Sequence, residues 1–156
     1  MPKVALWFFA VAPVYVLVGM IVGIVMGATM DFTIAPAHAH LNLIGWVTMA
    51  LYGTFYALAP NAPQKLAWAT FWLNNVAIIV MFPSLSMVLK NGAASSFVLP
   101  LILSEFVGVA ALLCFLPLST GASLGVMAQA EVAAVWGAGE REVSLVNGLL
   151  AGFLMA

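Results

Sequence analysis

Charged residues are so sparse along this sequence that they leave apolar runs long enough to cross a lipid bilayer. Only 4 basic and 5 acidic residues occur among 156 positions. The apolar runs cover residues 4–28, 37–59, 66–89 and 97–118, and each is close to the ~20 residues that a helix needs to span the bilayer core. Backbone groups in lipid must be satisfied within the segment, which favours helices. The sequence therefore predicts an all-α fold, an integral membrane four-helix bundle.

The composition excludes the common classes of water-soluble protein. Apolar residues make up 65% of the chain and charged residues 6%, whereas a soluble domain carries about 25% charge. So few charges cannot cover a water-facing surface, which excludes a soluble enzyme and a nucleic-acid-binding protein. The single cysteine, Cys114, excludes an intrachain disulfide framework. We interpret residues 1–156 as a single membrane domain in a lipid bilayer, and residues 119–156 as an interfacial or packed helical tail.

The basic residues indicate how the bundle is oriented in the membrane. With a cytoplasmic N-terminus, Lys3, Lys65 and Arg141 lie inside and Lys90 lies outside. This distribution agrees with the positive-inside rule. The connection between the first two spans, and the histidines that follow it, are then expected near the outer face.

Three glycines of the first span are spaced for contact with another helix. Gly19, Gly23 and Gly27 repeat every four residues and so share one side of the helix. Small residues in this register let a second backbone approach closely. The alternative is that glycine is simply common in membrane helices. We favour a contact stripe.

Both histidines of the chain, His38 and His40, lie just after Pro36 at the start of the second span. Proline is favoured in the first turn of a helix, and two residues along a helix turn by about 200°. The imidazoles then leave nearly opposite sides and can serve two different metal or cofactor sites. A helix N-terminus favours neutral imidazole, the form that binds metal. If the segment is extended instead, both rings can chelate one copper ion. A third alternative is a pair of interfacial histidines bound to headgroups or water.

Three side chains, Glu105, Asn74 and Asn75, form a possible polar site within the membrane. Glu105 lies about eight residues into the fourth span, where an ionised acid costs several kcal/mol and is a functional candidate by default. We expect it to face the interior of the bundle and pair with a polar group, for which Asn74, Asn75 and Ser104 are candidates. We interpret Asn42, Asn74 and Asn75 as residues that form hydrogen bonds between helices.

The second and third spans carry a family resemblance. His40 and Asn42, as H-x-N, open a helix that continues through Gly45, Gly53 and Tyr56. This pattern resembles the second transmembrane helix of haem-copper oxidase subunit I, most closely that of the cbb-type branch, in which the motif histidine is an axial ligand of low-spin haem b. The L-x-W-x-x-F-W pattern of the third span is similar to that of the next oxidase helix.

A second likeness concerns the pair of histidines itself. His38 and His40 as H-x-H are similar to the motif of the tenth oxidase helix, whose two histidines serve two different haems. Oxidase subunit I consists of three arcs of four helices, so this chain is similar to one arc. It lacks the copper-ligand histidines, and one copy therefore cannot build the oxygen-reducing centre.

The resemblance implies a cofactor, an assembly and a location. It implies a homotrimer that rebuilds the oxidase shape from three copies, because closed cyclic symmetry is the usual form of homo-oligomers. Haem b would lie between protomers, with His38 of one copy and His40 of another as axial ligands and Asn42 nearby. A haem with two histidine ligands has no open position, which implies electron transfer with an unknown redox partner. The implied location is the inner membrane of a bacterium.

Two alternatives of other classes stay open at this point. The first is a copper-binding membrane protein that uses His38, His40 and Met30, since imidazole and thioether ligands suit copper. The second is a non-catalytic accessory subunit in which the histidines are incidental. A Soret absorption band would favour haem, whereas a colourless protein that contains copper would favour the first alternative.

Overall fold

Four long helices make up the described part of the chain. A computed structural model describes residues 1–59, 61–92 and 94–135. Helix α1 is Lys3–Thr29, α2 is Ala35–Leu58, α3 is Gln64–Asn91 and α4 is Val98–Val135. The described residues contain no strand. Each helix includes a stretch long and apolar enough to cross a membrane, which fits an integral membrane protein and confirms the predicted fold class.

The predicted spans agree with the helices except at the end of the fourth. Helix α4 continues beyond residue 118 to Val135, so the first part of the predicted tail continues this helix. Residues 136–156, the remainder of that tail, lie outside the described residues.

The chain divides into a compact unit Met1–Leu116 and a second unit that begins at Pro117. The packing described below is that of the first unit.

Local sequence explains where the helices begin and end. Pro36 lies in the first turn of α2, where its missing N–H loses no helical hydrogen bond. Pro63, in a conformation with φ −56° and ψ 109°, precedes α3. Met30 follows α1 in the left-handed conformation with φ 53°, and Gly92 follows α3 with φ 80°. A left-handed residue commonly terminates a helix.

All four helices meet in a cluster of aromatic rings, which we call the aromatic end: Phe8, Tyr52, Tyr56, Phe71 and Phe115. The ring of Phe8 stacks on Tyr56 at 5.6 Å and meets Phe71 edge-on at 5.1 Å between centroids. The ring of Phe115 on α4 lies 4.6 Å from Tyr52 on α2. Aromatic pairs of this kind contribute about 0.5–1.5 kcal/mol beyond their buried area. This end therefore holds the helices together largely by ring packing.

Helix α2 is not a regular α-helix throughout. It is α-helical over Ala35–His40, π-helical over Leu41–Thr48 and α-helical again over Met49–Leu58. The Thr48 hydroxyl donates a hydrogen bond to the carbonyl of Leu43, five residues earlier, at 2.8 Å. π-helical segments are rare and frequently occur at functional sites. The turn that carries both histidines is thus joined to the rest of α2 through a change of helical register.

Candidate functional site

His38 lies in the contact between α2 and α1. Its side chain is half-buried, and a Cβ atom placed on Gly23 of α1 would lie 3.3 Å from its Cε1. The Asn42 amide nitrogen lies 3.1 Å from His38 Nε2 and 3.2 Å from the His38 carbonyl oxygen. A carbonyl oxygen can only accept, so the Asn42 amide nitrogen donates to the His38 carbonyl. The same amide nitrogen donates to His38 Nε2. The second ring nitrogen, Nδ1, lies 3.5 Å from that amide.

His40 lies on a different side of α2 and is exposed. Its Nδ1 lies 2.8 Å from the carbonyl oxygen of Pro36. A carbonyl oxygen only accepts, so Nδ1 carries a proton, and in the neutral imidazole Nε2 then keeps its lone pair. Histidines that bind metals almost always donate their other ring N–H to a carbonyl or carboxylate in this way. The backbone of α2 thus holds the His40 ring in the tautomer that offers Nε2 to a ligand.

The two rings do not converge on one ion. The segment is helical over Ala35–His40, so the extended arrangement that would let both rings chelate one copper ion is not formed. His38 contacts α1 whereas His40 is exposed. Among the described residues, no group of three or more histidine, cysteine or acidic side chains could hold a metal ion. Within the part of the chain that the structure describes, neither ring therefore belongs to a complete set of histidine, cysteine and carboxylate ligands.

The predicted glycine stripe on α1 contacts α2 at two of its three positions. A Cβ atom on Gly19 would overlap the Asn42 amide, and Gly23 faces His38, whereas nothing lies within 4 Å of the Gly27 position. We expected the glycines to let a second backbone approach closely. Instead, Gly19 and Gly23 make room for two polar side chains of α2. We call the cluster of Gly19, Gly23, His38, His40 and Asn42 the histidine end.

Asn74 and Asn75 link α3 to two different helices, as predicted for residues that bond between helices. The Asn74 amide donates to the carbonyl of Ile44 on α2 at 3.2 Å. The Tyr15 hydroxyl on α1 donates to Asn75 Oδ1 at 2.7 Å, and the Asn75 amide donates to Phe71 O at 2.8 Å. Both asparagines are buried, at 2% and 6% exposure. The hydrogen bonds of Asn42, by contrast, stay within α2.

Glu105 does not join these asparagines. It is exposed on the surface of the chain, about two turns into α4, and no described residue pairs with it. The expectation that Glu105 faces the interior of the bundle is therefore wrong for the single chain. The physical reason is the azimuth of α4: Ser104 and Gly108 face the bundle, with Gly108 against Ala77 of α3. A rotation of about 100° per residue then turns Glu105 to the flank.

The loop before α2 places one carboxylate near the histidine-bearing turn. Asp31 is exposed, and the backbone N–H of Thr33 donates to its Oδ1 at 3.0 Å. Hydrogen bonds from Thr33, first from its side chain and then from its backbone, lower the pKa of Asp31 from its ordinary value, and the positive charge of Lys90 lowers it further. The loop therefore carries a carboxylate that stays ionised over the physiological pH range.

Tyr15 was not identified from the sequence as a residue that positions the site, and Gly45 was named only as part of the family resemblance. A Cβ atom on Gly45, within the π-helical segment, would lie 2.9 Å from Tyr15 Cγ. Tyr15 thus packs on the π-helical segment while its hydroxyl bonds to Asn75. One signal was present in the sequence: a tyrosine hydroxyl in a membrane span needs a partner, and Asn74 and Asn75 are adjacent polar residues in another span.

No protein family model, no curated protein and no solved structure matches this chain. The resemblance to haem-copper oxidase subunit I therefore depends on the residues quoted above alone.

Proposed function

We propose that this chain is a membrane haem b protein, similar to one four-helix arc of haem-copper oxidase subunit I, that transfers electrons. The observation that carries the proposal is the state of His40. Its Nδ1–H is held by the Pro36 carbonyl at 2.8 Å, and its Nε2 is presented on the exposed side of α2. That arrangement is the one in which proteins hold a metal-binding histidine.

The two histidines differ in how well they fit an axial ligand. His40 fits as it stands. His38 fits once the Asn42 amide leaves its Nε2, which lies 3.1 Å away. Asn42 sits in the space left by Gly19, so its side chain can be displaced without a change in the backbone. When bound, haem b supplies one-electron transfer, and the protein supplies ligands and a low-dielectric environment.

The placement of the rings supports sharing of the haem between copies. Because His38 and His40 lie on different sides of α2, one chain offers one ligand to each of two sites. In a homotrimer every boundary would receive His38 from one copy and His40 from the next, which gives one haem per chain. A cyclic ring of this kind is the ordinary way in which identical chains assemble.

The proposal includes an orientation and a location. A cytoplasmic N-terminus in the inner membrane of a bacterium places Lys3 and Lys65 inside and the histidines near the outer face, as the positive-inside rule favours. Cysteines introduced at Asn61 and Asn91 test this orientation by labelling from the outside. We expect reaction at position 91 and protection at position 61, and the reverse result would overturn it.

The absorption spectrum of the purified protein tests the cofactor, and two variants test the ligands. We expect a Soret band, a haem b signature in a pyridine haemochrome assay and six-coordinate haem.

His38→Ala and His40→Ala should each leave five-coordinate haem at most. Co-assembly of the two variants should restore part of the six-coordinate spectrum, because a mixed ring contains some intact boundaries. Full six-coordinate spectra in both single variants, or no haem in the parent protein, would overturn the proposal; a colourless protein with bound copper would favour the copper alternative.

A further inference from the structure

The π-helical segment of α2 begins immediately after the histidines. It covers Leu41–Thr48, and the α-helical turn that precedes it ends at His40. The N–H of Leu41 still bonds to the carbonyls of Ala37 and His38, four and three residues earlier, so π-helical bonding starts after this N–H. The direction in which His38 and His40 leave α2, relative to the aromatic end, therefore depends on this segment.

A π-helical register needs support from its surroundings. A regular α-helix bonds each N–H to the carbonyl four residues earlier, and π-helices are rare beyond a single turn. A return of this segment to α-helical bonding would rotate the preceding turn by on the order of 100° for each residue by which the register shifts. His38 would then no longer face Gly23, which lies within contact distance of its ring.

One buried side chain of another helix bonds to the backbone of this segment. The Asn74 amide donates to the carbonyl oxygen of Ile44, the central part of the π-helix, at 3.2 Å. Asn74 is 2% exposed, so loss of this bond would leave a buried amide without a partner, which is destabilising. The bond thus ties one carbonyl of the π-helix to a fixed point on α3.

The opposite side of the segment is limited by packing. Gly45, the residue after Ile44, lies against Tyr15 of α1, where a Cβ atom would be 2.9 Å from Tyr15 Cγ. Asn75, adjacent to Asn74, holds the Tyr15 hydroxyl at 2.7 Å. The π-helical segment is therefore held between one hydrogen bond from α3 and one ring from α1, and of these only the Asn74 bond acts on its backbone.

We propose that Asn74 is a positioning residue that holds α2 in the π-helical register and so sets the directions in which His38 and His40 leave the helix. Asn74 lies on a different helix from both histidines, and its hydrogen bond reaches them through the Ile44 carbonyl. The proposal deepens the haem function, since two separate directions are what a haem shared between copies requires. It concerns the geometry of the rings, however, and is tested without haem.

The environment of each histidine ring can be measured separately, because the chain contains only 2 histidines. In the full-length protein, prepared without haem in lipid nanodiscs and labelled with ¹³C,¹⁵N-histidine, magnetic resonance resolves two rings. The His38 ring carries the contact from Asn42, and the His40 Nδ1–H carries the bond to Pro36. We expect Asn74→Leu, which keeps the side-chain size and removes the amide, to shift both sets of ring signals and to abolish the His38–Asn42 contact.

Thr70→Val is the matched control. It also removes a hydrogen bond between α2 and α3, that of the Tyr56 hydroxyl with Thr70 Oγ1 at 3.3 Å, and it lies outside the π-helical segment. We expect it to leave both rings unchanged. If Thr70→Val shifts the rings as much as Asn74→Leu does, or if Asn74→Leu leaves them unchanged, the positioning role is overturned.

A second pair of variants keeps the test valid if Asn74→Leu does not assemble. Asn74→Gln keeps an amide donor and should retain signals close to those of the parent. Asn74→Ser keeps a polar group that is too short to reach the carbonyl and should shift them. Equal spectra for these two variants would overturn the proposal. Absence of haem from the parent protein would overturn the proposed function and leave this inference standing.

Discussion

The aromatic end and the histidine end of the bundle are built in different ways. At the aromatic end, Phe8 and Tyr56 are fully buried, and rings from all four helices touch. At the histidine end, half-buried polar side chains occupy the space above two glycines, and His40 is exposed. Ring packing tolerates little change in shape, whereas an amide above a glycine can move. The comparison indicates that the first end stabilises the fold, whereas the side chains of the second end can rearrange.

The largest expected effect is on stability, at the aromatic end. Phe→Ala in a water-soluble core costs about 3–5 kcal/mol. In lipid the transfer term is small because the bilayer is as apolar as the protein core, so we expect Phe8→Ala to lower the free energy of unfolding by about 2 kcal/mol or more through lost packing. Unfolding in a denaturing detergent, followed by circular dichroism, measures this.

The control for this prediction is the neighbouring ring. Phe9 is 39% exposed, and Phe9→Ala should cost much less than Phe8→Ala. If the two variants lose equal stability, the aromatic end is not the scaffold that the comparison requires.

An intermediate effect is expected at the histidine end, on the site and not on the fold. A Cβ atom at Gly19 overlaps the Asn42 amide, which is the end of a flexible side chain and can move. We therefore expect Gly19→Ala to break the Asn42–His38 hydrogen bond and shift the His38 ring signals, with a loss of stability of about 1 kcal/mol, the lower end of the usual cost of overpacking. Histidine magnetic resonance and detergent unfolding on the same samples measure both quantities.

Gly27→Ala is the matched substitution, since nothing lies within 4 Å of that position. It should leave both histidine rings unchanged and stabilise α1 slightly, because alanine is a better helix former than glycine. A large loss of stability in Gly19→Ala with unchanged histidine signals would reverse the assignment of the two ends.

The smallest expected effect concerns the loop at the histidine end. Hydrogen bonds from Thr33 lower the pKa of Asp31 below its ordinary value of 3.8 in the folded protein. Stability from this group is therefore present above pH 3.8 and is lost as the pH falls through the lowered folded value. Asp31→Asn should therefore lower the free energy of unfolding slightly above pH 3.8, make no difference below the lowered folded value, and so flatten the acid limb of a stability–pH profile. Equal stability of the two proteins at neutral pH, or a difference that persists unchanged in acid, would contradict this assignment.

Much of the site could be predicted from the sequence, but not its internal arrangement. The helical spacing of His38 and His40 already placed their rings on different sides of α2. The positions of Asn74 and Asn75 in an apolar span indicated bonds between helices. The sequence did not show which of the two rings faces α1. The packing shows that it is His38, because its ring lies against Gly23. The sequence also did not show that Asn42 forms its hydrogen bonds with His38 within α2 and not with another helix.

The sequence by itself determined the helices, because the transfer of a residue from water to lipid is a local property that can be added along the chain. Few charges and suitably placed prolines are enough to define Lys3–Thr29, Ala35–Leu58 and Gln64–Asn91. Only the tertiary structure decided the azimuth of each helix. The exposure of Glu105 and the π-helical segment Leu41–Thr48 follow from contacts with residues far along the chain, such as Ala77 and Asn74. A shift of one residue in helical register turns a side chain by about 100°. The local sequence pattern does not specify this register.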